Sequence, residues 1–379
     1  MNIVIAIDSF KGSISSIDAG NTVRDAILSR YPKDSVKVFP LADGGEGTVD
    51  ALTQGLGGNI VPVTVTGPLG EPVESRYGYL PNSQTAVIEM ADAAGLALVP
   101  TAKRNPLHTT TYGLGELIIA AMEQGCRHFI IGIGGSATND AGLGMLTALG
   151  YRFCLPDGTP CGSCGKDLHG IAAIDASHCH PLLKECKFEI ACDVVNPLCG
   201  AQGCSAIYGP QKGATPEIIA KMDSDIAAFA LLAENTLGIQ GAKLPGAGAA
   251  GGLGFAFHTF LHGRLTPGIE LVLKSIGIEQ YLQQADILIT GEGRMDRQTA
   301  MGKAPIGIAQ LAKKCNPKCV TIGLCGCATH DAESVNEHGI DAYFPILHAA
   351  MPVEEAMKPA ATKQNLTQTI QQVMNLLHR

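Results

Sequence analysis

The chain has 379 residues, of which 46% are hydrophobic and 16% charged, and its formal net charge is −8 at pH 7. This composition supplies enough apolar side chains for a large core, and the length suggests roughly two or three domains. The acidic charge and the lack of any basic run argue against a nucleic acid partner, and no apolar run approaches the length of a membrane span.

The N-terminus leads directly into an apolar strand, without the pattern of a signal peptide. The 13 cysteines are odd in number and scattered, which is typical of free thiols in a reducing compartment. We therefore expect a cytoplasmic protein. Cys161, Cys164, His178 and His180 could supply zinc ligands, but the second pair lacks regular ligand spacing, which favours free cysteines.

The chain begins with two strand–helix units. Residues 3–7 and 36–39 are apolar strands, and the first is followed by a helix that Ser15 or Ser16 can cap. Asp8 comes directly after the first strand, and Asp43 follows the second. Consecutive βα units predict a parallel sheet, and ligands of open α/β sheets bind at the carboxyl ends of the strands.

From about residue 60 the pattern changes. The short β-prone runs 61–65, 73–80 and 85–90, separated by turn residues, predict antiparallel strands. Strand–helix alternation resumes after residue 285. We therefore predict a discontinuous Rossmann-like α/β domain with a parallel sheet, formed by residues 1–58 plus 285–379. Residues 59–284 are predicted to form a second, inserted α/β domain, with a cleft between the two.

The most informative segment is 130–148, where an apolar strand ends in a glycine turn that leads into a helical pattern. Gly134 and Gly135 allow close backbone approach, and the first N–H groups of a helix lack partners within it, so such a turn can bind an anion. Ser136 and Thr138 add hydroxyl groups, and Asn139 and Asp140 are expected to cap the helix. The alternative is a tight strand-to-helix connection without a ligand.

A second glycine-rich segment, 246–252, also precedes an apolar helical stretch and includes Gly248 and Gly251. Lys212 lies in a further glycine-containing loop. We expect the loops at 134–138 and 246–252 to face the same cleft, with at least one of them holding phosphate groups.

The loops also contain many charged side chains. The acids are Asp8, Asp43, Asp140, Asp193, Glu292 and Asp296, and the cations are Lys11, Lys212, Arg294, Arg297 and Lys303. One or two carboxylates together with phosphate oxygens can hold Mg²⁺. The set therefore fits phosphoryl transfer, which depends on positioning and charge neutralisation, although neither a P-loop nor an H-R-D motif is present.

Two other functions stay open at this point. Segments 132–137 and 246–251 match the G-x-G-x-x-[GA] pattern, which would suit an NAD-dependent hydroxy-acid dehydrogenase. Dinucleotide binding requires a strand before the motif and an acid at the end of a second strand. The acid after the first match, Asp157, lies in a Pro-Asp-Gly turn, and the second match lacks a convincing preceding strand. A non-catalytic nucleotide-binding protein is the other alternative, but it would not need so many acids around an anion.

Seven segments, in this order, are similar to those of the bacterial glycerate kinases of the first type. They are 8–12 (DSFKG), 42–48 (ADGGEGT), 132–140 (GIGGSATND), 193–198 (DVVNPL), 209–213 (GPQKG), 246–252 (GAGAAGG) and 290–298 (TGEGRMDRQ). The resemblance implies phosphorylation of D-glycerate by ATP with Mg²⁺, favouring the 2-hydroxyl over the 3-hydroxyl. It also implies a Rossmann-like domain with a second inserted α/β domain. The departures, such as Ile7 and Ala141, remove no charged residue of these segments.

Roles are inferred from the residues. Asp193 is the first candidate for a base or metal ligand, because it follows an apolar run and precedes a sharp Asn-Pro turn; capping that turn is its alternative role.

The other catalytic candidates are Asp8, Lys11, Arg294 and Asp296. The ATP-binding candidates are Gly134, Gly135, Ser136, Thr138, Lys212, Gly248 and Gly251. The glycerate-binding candidates are Asp43, Gly44, Glu46 and Arg294, and the metal candidates are Asp193 and Glu292. The sequence does not distinguish a monomer from a homodimer.

Overall fold

The structure, a computed structural model, describes residues 1–379. The strands are β1 (Asn2–Ile7), β2 (Ser35–Pro40), β3 (Asn59–Thr66), β4 (Pro72–Leu80), β5 (Thr85–Glu89), β6 (His128–Gly132), β7 (Arg152–Cys154), β8 (Ala173–Asp175), β9 (Lys187–Ala191), β10 (Arg264–Thr266), β11 (Ile287–Met295), β12 (Val320–Ala328) and β13 (Ala342–Pro345). The helices are α1 (Ser16–Leu28), α2 (Thr48–Gly55), α3 (Ala91–Ala94), α4 (Tyr112–Glu123), α5 (Leu143–Ala148), α6 (Cys204–Tyr208), α7 (Pro216–Leu237), α8 (Ala249–Leu261), α9 (Gly268–Ile276), α10 (Glu279–Leu282), α11 (Ala304–Cys315), α12 (Val353–Ala356) and α13 (Pro359–Leu377).

The chain divides into two compact units. The first unit comprises Met1–Asp43, Asp50–Gly57 and Ile269–Arg379, and the second comprises Gly44–Val49 and Gly58–Gly268. The second unit ends at Gly268, before the boundary at residue 284 that the sequence indicated. The intervening segment packs in the first unit, where an added Cβ at Gly307 would meet Ile269 and where α10 contacts α11. The division into domains stays a prediction.

The first unit contains a five-stranded sheet in the order β13-β12-β11-β1-β2, and every pair is parallel. Its strands are rich in β-branched apolar residues, as expected for strands covered on both faces. The chain passes from β1 to β2 on one side, whereas β11 lies on the other side of β1. This reversal creates a topological switch point between β1 and β11, where open α/β sheets bind ligands.

Helices cover this sheet through apolar contacts. Ser15 caps α1 by accepting a hydrogen bond from the Asp18 backbone N–H at 3.1 Å, as predicted for this helix start. The side chains of Ile5 and Ile7 pack in one buried cluster with Ile370 of α13. The two ends of the chain therefore share one core, and a separate cluster joins α11 to β11.

The second unit contains a six-stranded sheet in the order β10-β9-β6-β5-β4-β3. The pairs β3–β4 and β4–β5 are antiparallel, as the sequence predicted. The pairs β5–β6, β6–β9 and β9–β10 are parallel, so the carboxyl ends of four strands meet at one edge. The hairpin β7–β8 forms a separate small sheet. The fold class is thus α/β with parallel strands in both units.

No helix combines the length and the apolar character that crossing a membrane requires. All thirteen cysteines are free thiols, Cys161 and Cys164 included.

Candidate active site

A cavity of about 630 Å³ lies at the carboxyl edge of the five-stranded sheet in the first unit. Its volume falls within the roughly 300–1,000 Å³ typical of small-molecule sites. Each strand supplies a lining residue just beyond or near its carboxyl end: Asp8 after β1, Asp43 after β2, Glu292 in β11, Cys327 in β12 and Leu347 after β13. The cavity therefore occupies the switch point that the strand order creates.

Asp8 is the most perturbed acid of this cavity. Its residue is 8% exposed, and its Oδ1 accepts a hydrogen bond from the Ser9 N–H at 2.7 Å. Burial, reinforced by the nearby charges of Asp43 and Glu292, raises the pKa of Asp8 to about 7 despite the opposing Ser9 N–H and Lys11. A buried carboxyl that titrates near neutral pH suits acid–base chemistry.

Glu292 is held by Thr299, whose Oγ1 donates a hydrogen bond of 2.6 Å to Oε1. Burial raises the pKa of Glu292, while that hydrogen bond and Lys303 oppose the shift. Asp296 is oriented by its own turn, because its Oδ1 accepts from the Gln298 N–H at 2.9 Å. The carboxylates of Glu292 and Asp296 therefore have defined directions.

The cavity also contains cations. Lys11, Arg294 and Lys303 line it, and Arg294 Nε lies 3.5 Å from Asp296 Oδ2. Six sequence-predicted residues thus lie together in one cavity. They are Asp8, Lys11, Asp43, Glu292, Arg294 and Asp296.

Sequence reasoning missed the part of the cavity that the C-terminal region forms. Leu347, Met351 and Met357 line it, together with Asn365 on α13. None belongs to the glycine-rich and charged loops that the sequence singled out, which is why no motif pointed to them. The available signal was Asn365, a polar residue at a buried position of an otherwise amphipathic helix.

The second unit contains the glycine turn that follows β6. Gly134 and Gly135 are exposed, and an added Cβ at Gly134 would meet no atom within 4 Å. Ser136 and Thr138 are buried directly behind them. This turn presents open backbone to solvent at the parallel edge of the second sheet, as an anion-binding loop would.

The sequence suggested both an anion site at the helix that follows and a cap at Asn139 or Asp140, and the structure shows the cap. Helix α5 begins only at Leu143, and Asp140 occupies its N-terminus by accepting hydrogen bonds from the N–H groups of Gly142 and Gly144 at 3.2 Å each. Asp140 also accepts from the Thr111 N–H at 2.9 Å and the Thr111 hydroxyl at 2.7 Å. The protein's own carboxylate therefore fills the site that an external anion would use.

Lys212 supports the glycine turn from the inside of the unit. It is 2% exposed, and its Nζ donates hydrogen bonds of 2.7 Å to Ser136 Oγ and to the Thr138 carbonyl. Burial lowers the pKa of Lys212 to about 8, against the opposing influence of Cys204 and Asp140. Because Ser136 accepts this bond, its own hydroxyl hydrogen stays available for an acceptor.

The depressed pKa of Lys212 predicts a specific pH dependence of stability. The folded state gives up this proton at about pH 8 and the unfolded state at about 10.5. The stability linked to Lys212 is therefore fully present above pH 10.5 and is lost as the pH falls from 10.5 to 8. Compared with Lys212→Met, the wild type should gain about 3 kcal/mol of unfolding free energy between pH 7 and 10.5.

Urea titrations at several pH values would measure this difference. Lys243 is exposed, so Lys243→Met is a matched control whose free energy of unfolding should equal that of the wild type at every pH. A difference between wild type and Lys212→Met that stays constant from pH 7 to 10.5 would contradict the prediction.

The glycine-rich loop 246–252 packs tightly against other loops of the second unit. The Gly248 N–H donates to the Asn196 carbonyl at 3.0 Å, and the Gly251 carbonyl accepts from the Ala141 N–H at 2.9 Å. An added Cβ at Gly248 would overlap the Pro197 carbonyl, and one at Gly251 would overlap the Thr138 carbonyl. These glycines are required for contact within the protein.

Asp193 lies just beyond β9 and is exposed. Its Oδ1 accepts a hydrogen bond from the Gly268 N–H at 2.8 Å, which links it to the chain after β10. Gly44 also packs there, because a Cβ added to it would lie 2.8 Å from the Gly268 Cα. Glu46, the other glycerate-binding candidate of this loop, is exposed. Asp193 thus lies at the carboxyl ends of the parallel strands of the second sheet, where its carboxylate is held by the hydrogen bond from Gly268.

Comparisons with known proteins agree with the sequence resemblance. Residues 3–378 match the model of the glycerate kinase family. A "Glycerate kinase" of Bacillus subtilis is 48% identical over 361 residues, covering 95% of this chain and 94% of the relative. A "Glycerate 2-kinase" of Escherichia coli K12 is 44% identical over 360 residues, with coverage of 95% and 94%.

A crystal structure from Salmonella typhimurium LT2, described as that of a glycerate kinase 2, superposes with a TM-score of 0.92. The two chains are 43% identical, and the match covers 100% of this chain and 98% of the other. These relatives argue against the dehydrogenase and the non-catalytic alternatives. The chain belongs to the glycerate kinase family, and it is a phosphotransferase that phosphorylates glycerate.

Proposed function

We propose that the protein transfers the γ-phosphoryl group of ATP to the 2-hydroxyl of D-glycerate, with Mg²⁺ as cofactor. The observation that carries this proposal is the buried Asp8 carboxyl at the switch point of the five-stranded sheet, in a cavity that also contains Lys11 and Arg294. Phosphoryl transfer to an alcohol needs a group that accepts the hydroxyl proton and cations that neutralise phosphate charge.

Each charged residue of the cavity has a proposed role. Asp8 accepts the proton of the attacking hydroxyl, because its raised pKa places it near the operating pH. Lys11 and Arg294 neutralise the carboxylate of glycerate or the transferring phosphate. Arg294 can bind a planar carboxylate through two N–H groups, which would fix the orientation of the substrate.

The acids of the cavity fit a magnesium ion. Asp43 and Glu292 both raise the pKa of Asp8, so a cation would relieve the repulsion among them. No group of three or more His, Cys, Asp or Glu side chains is arranged to hold a metal ion, and Mg²⁺ usually takes only one or two carboxylates plus phosphate oxygens. Glu292 would hold it in the first unit, and Asp193 is the candidate in the second. Bound magnesium would neutralise phosphate charge.

In the second unit, we propose that the exposed turn at Gly134 and Gly135 binds an anionic group, with ATP phosphates as the anion that the sequence indicated. The open space at Gly134 and the hydroxyl of Ser136 support this assignment. Lys212 contributes from behind the turn, through Ser136, as a buried positive charge.

The thirteen free cysteines favour a reducing compartment, and we propose that the protein is located in the cytoplasm.

The direct test is incubation of the purified protein with ATP, Mg²⁺ and either D- or L-glycerate. We expect ADP to form with D-glycerate, to form much more slowly with L-glycerate, and to disappear when EDTA removes the metal. ADP should be quantified by chromatography, so that no coupling enzyme is needed. A folded protein that releases no ADP with D-glycerate and Mg·ATP would contradict the proposal.

The position of phosphorylation can be read from the same reaction. We expect 2-phosphoglycerate, in which phosphorus couples to one proton and gives a doublet in the proton-coupled ³¹P NMR spectrum. The 3-phosphate carries phosphorus next to a methylene group and would give a triplet. A triplet as the initial product signal would overturn the assignment to position 2 and leave the kinase activity unaffected.

A further inference from the structure

The cavity of the first unit is lined by two chemically different sets of residues. Asp8, Lys11 and Arg294 form the charged end, at the carboxyl ends of the central strands β1 and β11, and the segment that follows the edge strand β13 supplies most of the apolar side chains, which we call the apolar end. The apolar lining includes Phe10, Ile346, Leu347, Met351 and Met357. Glycerate is a three-carbon acid with a carboxylate and two hydroxyls, so it fits the charged end and has no apolar surface to bury at the other.

Several side chains of the apolar end are exposed to solvent. Leu347, Met351 and Met357 are 38%, 39% and 40% exposed, and Val353 is 71% exposed. All four come from one stretch of the chain around α12 and all line the same cavity. A contiguous exposed apolar surface of this kind marks a binding site, and methionine side chains adapt well to aromatic rings.

Asn365 supplies a polar group beside this apolar surface. The residue is 9% exposed and lines the cavity, and its Nδ2 is buried without any hydrogen-bond partner. A buried donor without a partner costs free energy, so an occupant that accepts from it would be favoured. Thr362, one turn earlier on α13, is already bonded to Ser13 Oγ at 2.7 Å and thus helps to hold the helix in place.

We propose that this apolar end binds the purine ring of the nucleotide, with the Asn365 amide donating to a ring nitrogen and Met351 and Met357 packing on the ring. The inference rests on the proposed function in taking ATP as the phosphoryl donor. A purine combines two aromatic faces with ring-nitrogen acceptors, which matches an apolar pocket that contains one unsatisfied donor. The charged end beside it would then receive the phosphoryl group that is transferred, next to Lys11 and Arg294.

Photolabelling of the wild-type protein tests the location of the base. With 8-azido-ATP, the inference expects labelled peptides from residues 346–365 or from the neighbourhood of Phe10, and protection by excess ATP. Labelling of peptides from the second unit alone, or labelling that ATP does not suppress, would overturn the inference.

Substitution of Asn365 provides the second test. Asn365→Leu removes the unsatisfied donor and keeps the size of the side chain, so the melting temperature without nucleotide should stay unchanged or rise. The KM for ATP should increase roughly tenfold, corresponding to about 1.4 kcal/mol, while the KM for glycerate changes little. A residue that only supports the fold would instead lower the melting temperature and leave both KM values alone, which would contradict the inference.

The exposed Gln372 on the same helix offers a matched control, since Gln372→Leu makes the same kind of change outside the cavity lining. It should leave the KM for ATP unchanged.

The kinase proposal and the base-site proposal are contradicted by different results. If the wild type forms no ADP, the kinase proposal is wrong. Normal wild-type turnover combined with labelling elsewhere and an unchanged KM in Asn365→Leu would reject the base site alone.

Discussion

Asp8→Asn is expected to lower kcat by roughly 10²–10⁴-fold and, at the same time, to make the protein more stable at neutral and alkaline pH. The rate falls because an amide cannot accept the hydroxyl proton. The stability rises because the variant removes a buried negative charge. Asn keeps a side-chain oxygen that can accept from the Ser9 N–H, so the local turn should persist.

The direction of the pH effect follows from the two states of Asp8. Its pKa is 3.8 in the unfolded chain and about 7 in the folded protein. Below pH 3.8 both states hold the proton, and Asp8 costs no stability. As the pH rises from 3.8 to 7, ionisation of the unfolded state increasingly favours unfolding, up to about 4 kcal/mol. The advantage of Asp8→Asn should therefore be full above pH 7 and vanish below pH 4.

Denaturant unfolding with EDTA present and steady-state kinetics should be measured on the same preparations. The exposed Asp25 on α1 provides the control, because Asp25→Asn removes an acid outside the cavity and should change neither property. Asp193→Asn should be measured in parallel. If it abolishes turnover while Asp8→Asn remains active, the base is Asp193, and the proposed role of Asp8 is wrong.

Gly248→Val is expected to destabilise the protein strongly, whereas Gly134→Val should leave the fold intact and weaken anion binding. The Cβ at position 248 would overlap the Pro197 carbonyl, and rigid backbone cannot move away easily. We expect a loss of roughly 3 kcal/mol or more, by overpacking. At Gly134 an added Cβ meets nothing, so its only effect is to obstruct the approach of an anion to the backbone.

Melting temperatures and the KM for ATP separate these outcomes. Gly134→Val should melt within a few degrees of the wild type and raise the KM for ATP by at least roughly tenfold, about 1.4 kcal/mol. Ala173→Val serves as a control, since Ala173 is an exposed residue of strand β8 outside the glycine turn, and this variant should leave both values unchanged. An unchanged KM in Gly134→Val would remove the glycine turn from the ATP site.

Much of the architecture could be predicted because it depends on local patterns. The apolar β-branched runs specified strands such as β1 and β11, and their alternation with helices implied parallel pairing. Once the strands are parallel, their carboxyl ends share one edge. This is why Asp8, Asp43 and Glu292, far apart in sequence, could be assigned to a common site before their positions were known.

The sequence by itself therefore determined the family, the reaction class and the charged residues of the cavity. Only the tertiary structure decided how individual groups are used. Asp140, and no external anion, occupies the start of helix α5, and Lys212, an ATP-binding candidate, is buried behind the glycine turn. It also placed Asn365 of the C-terminal helix in the same cavity as Asp8. Burial, hydrogen bonding and pKa shifts depend on which distant segments pack around a group, and no local pattern in the chain encodes those neighbours.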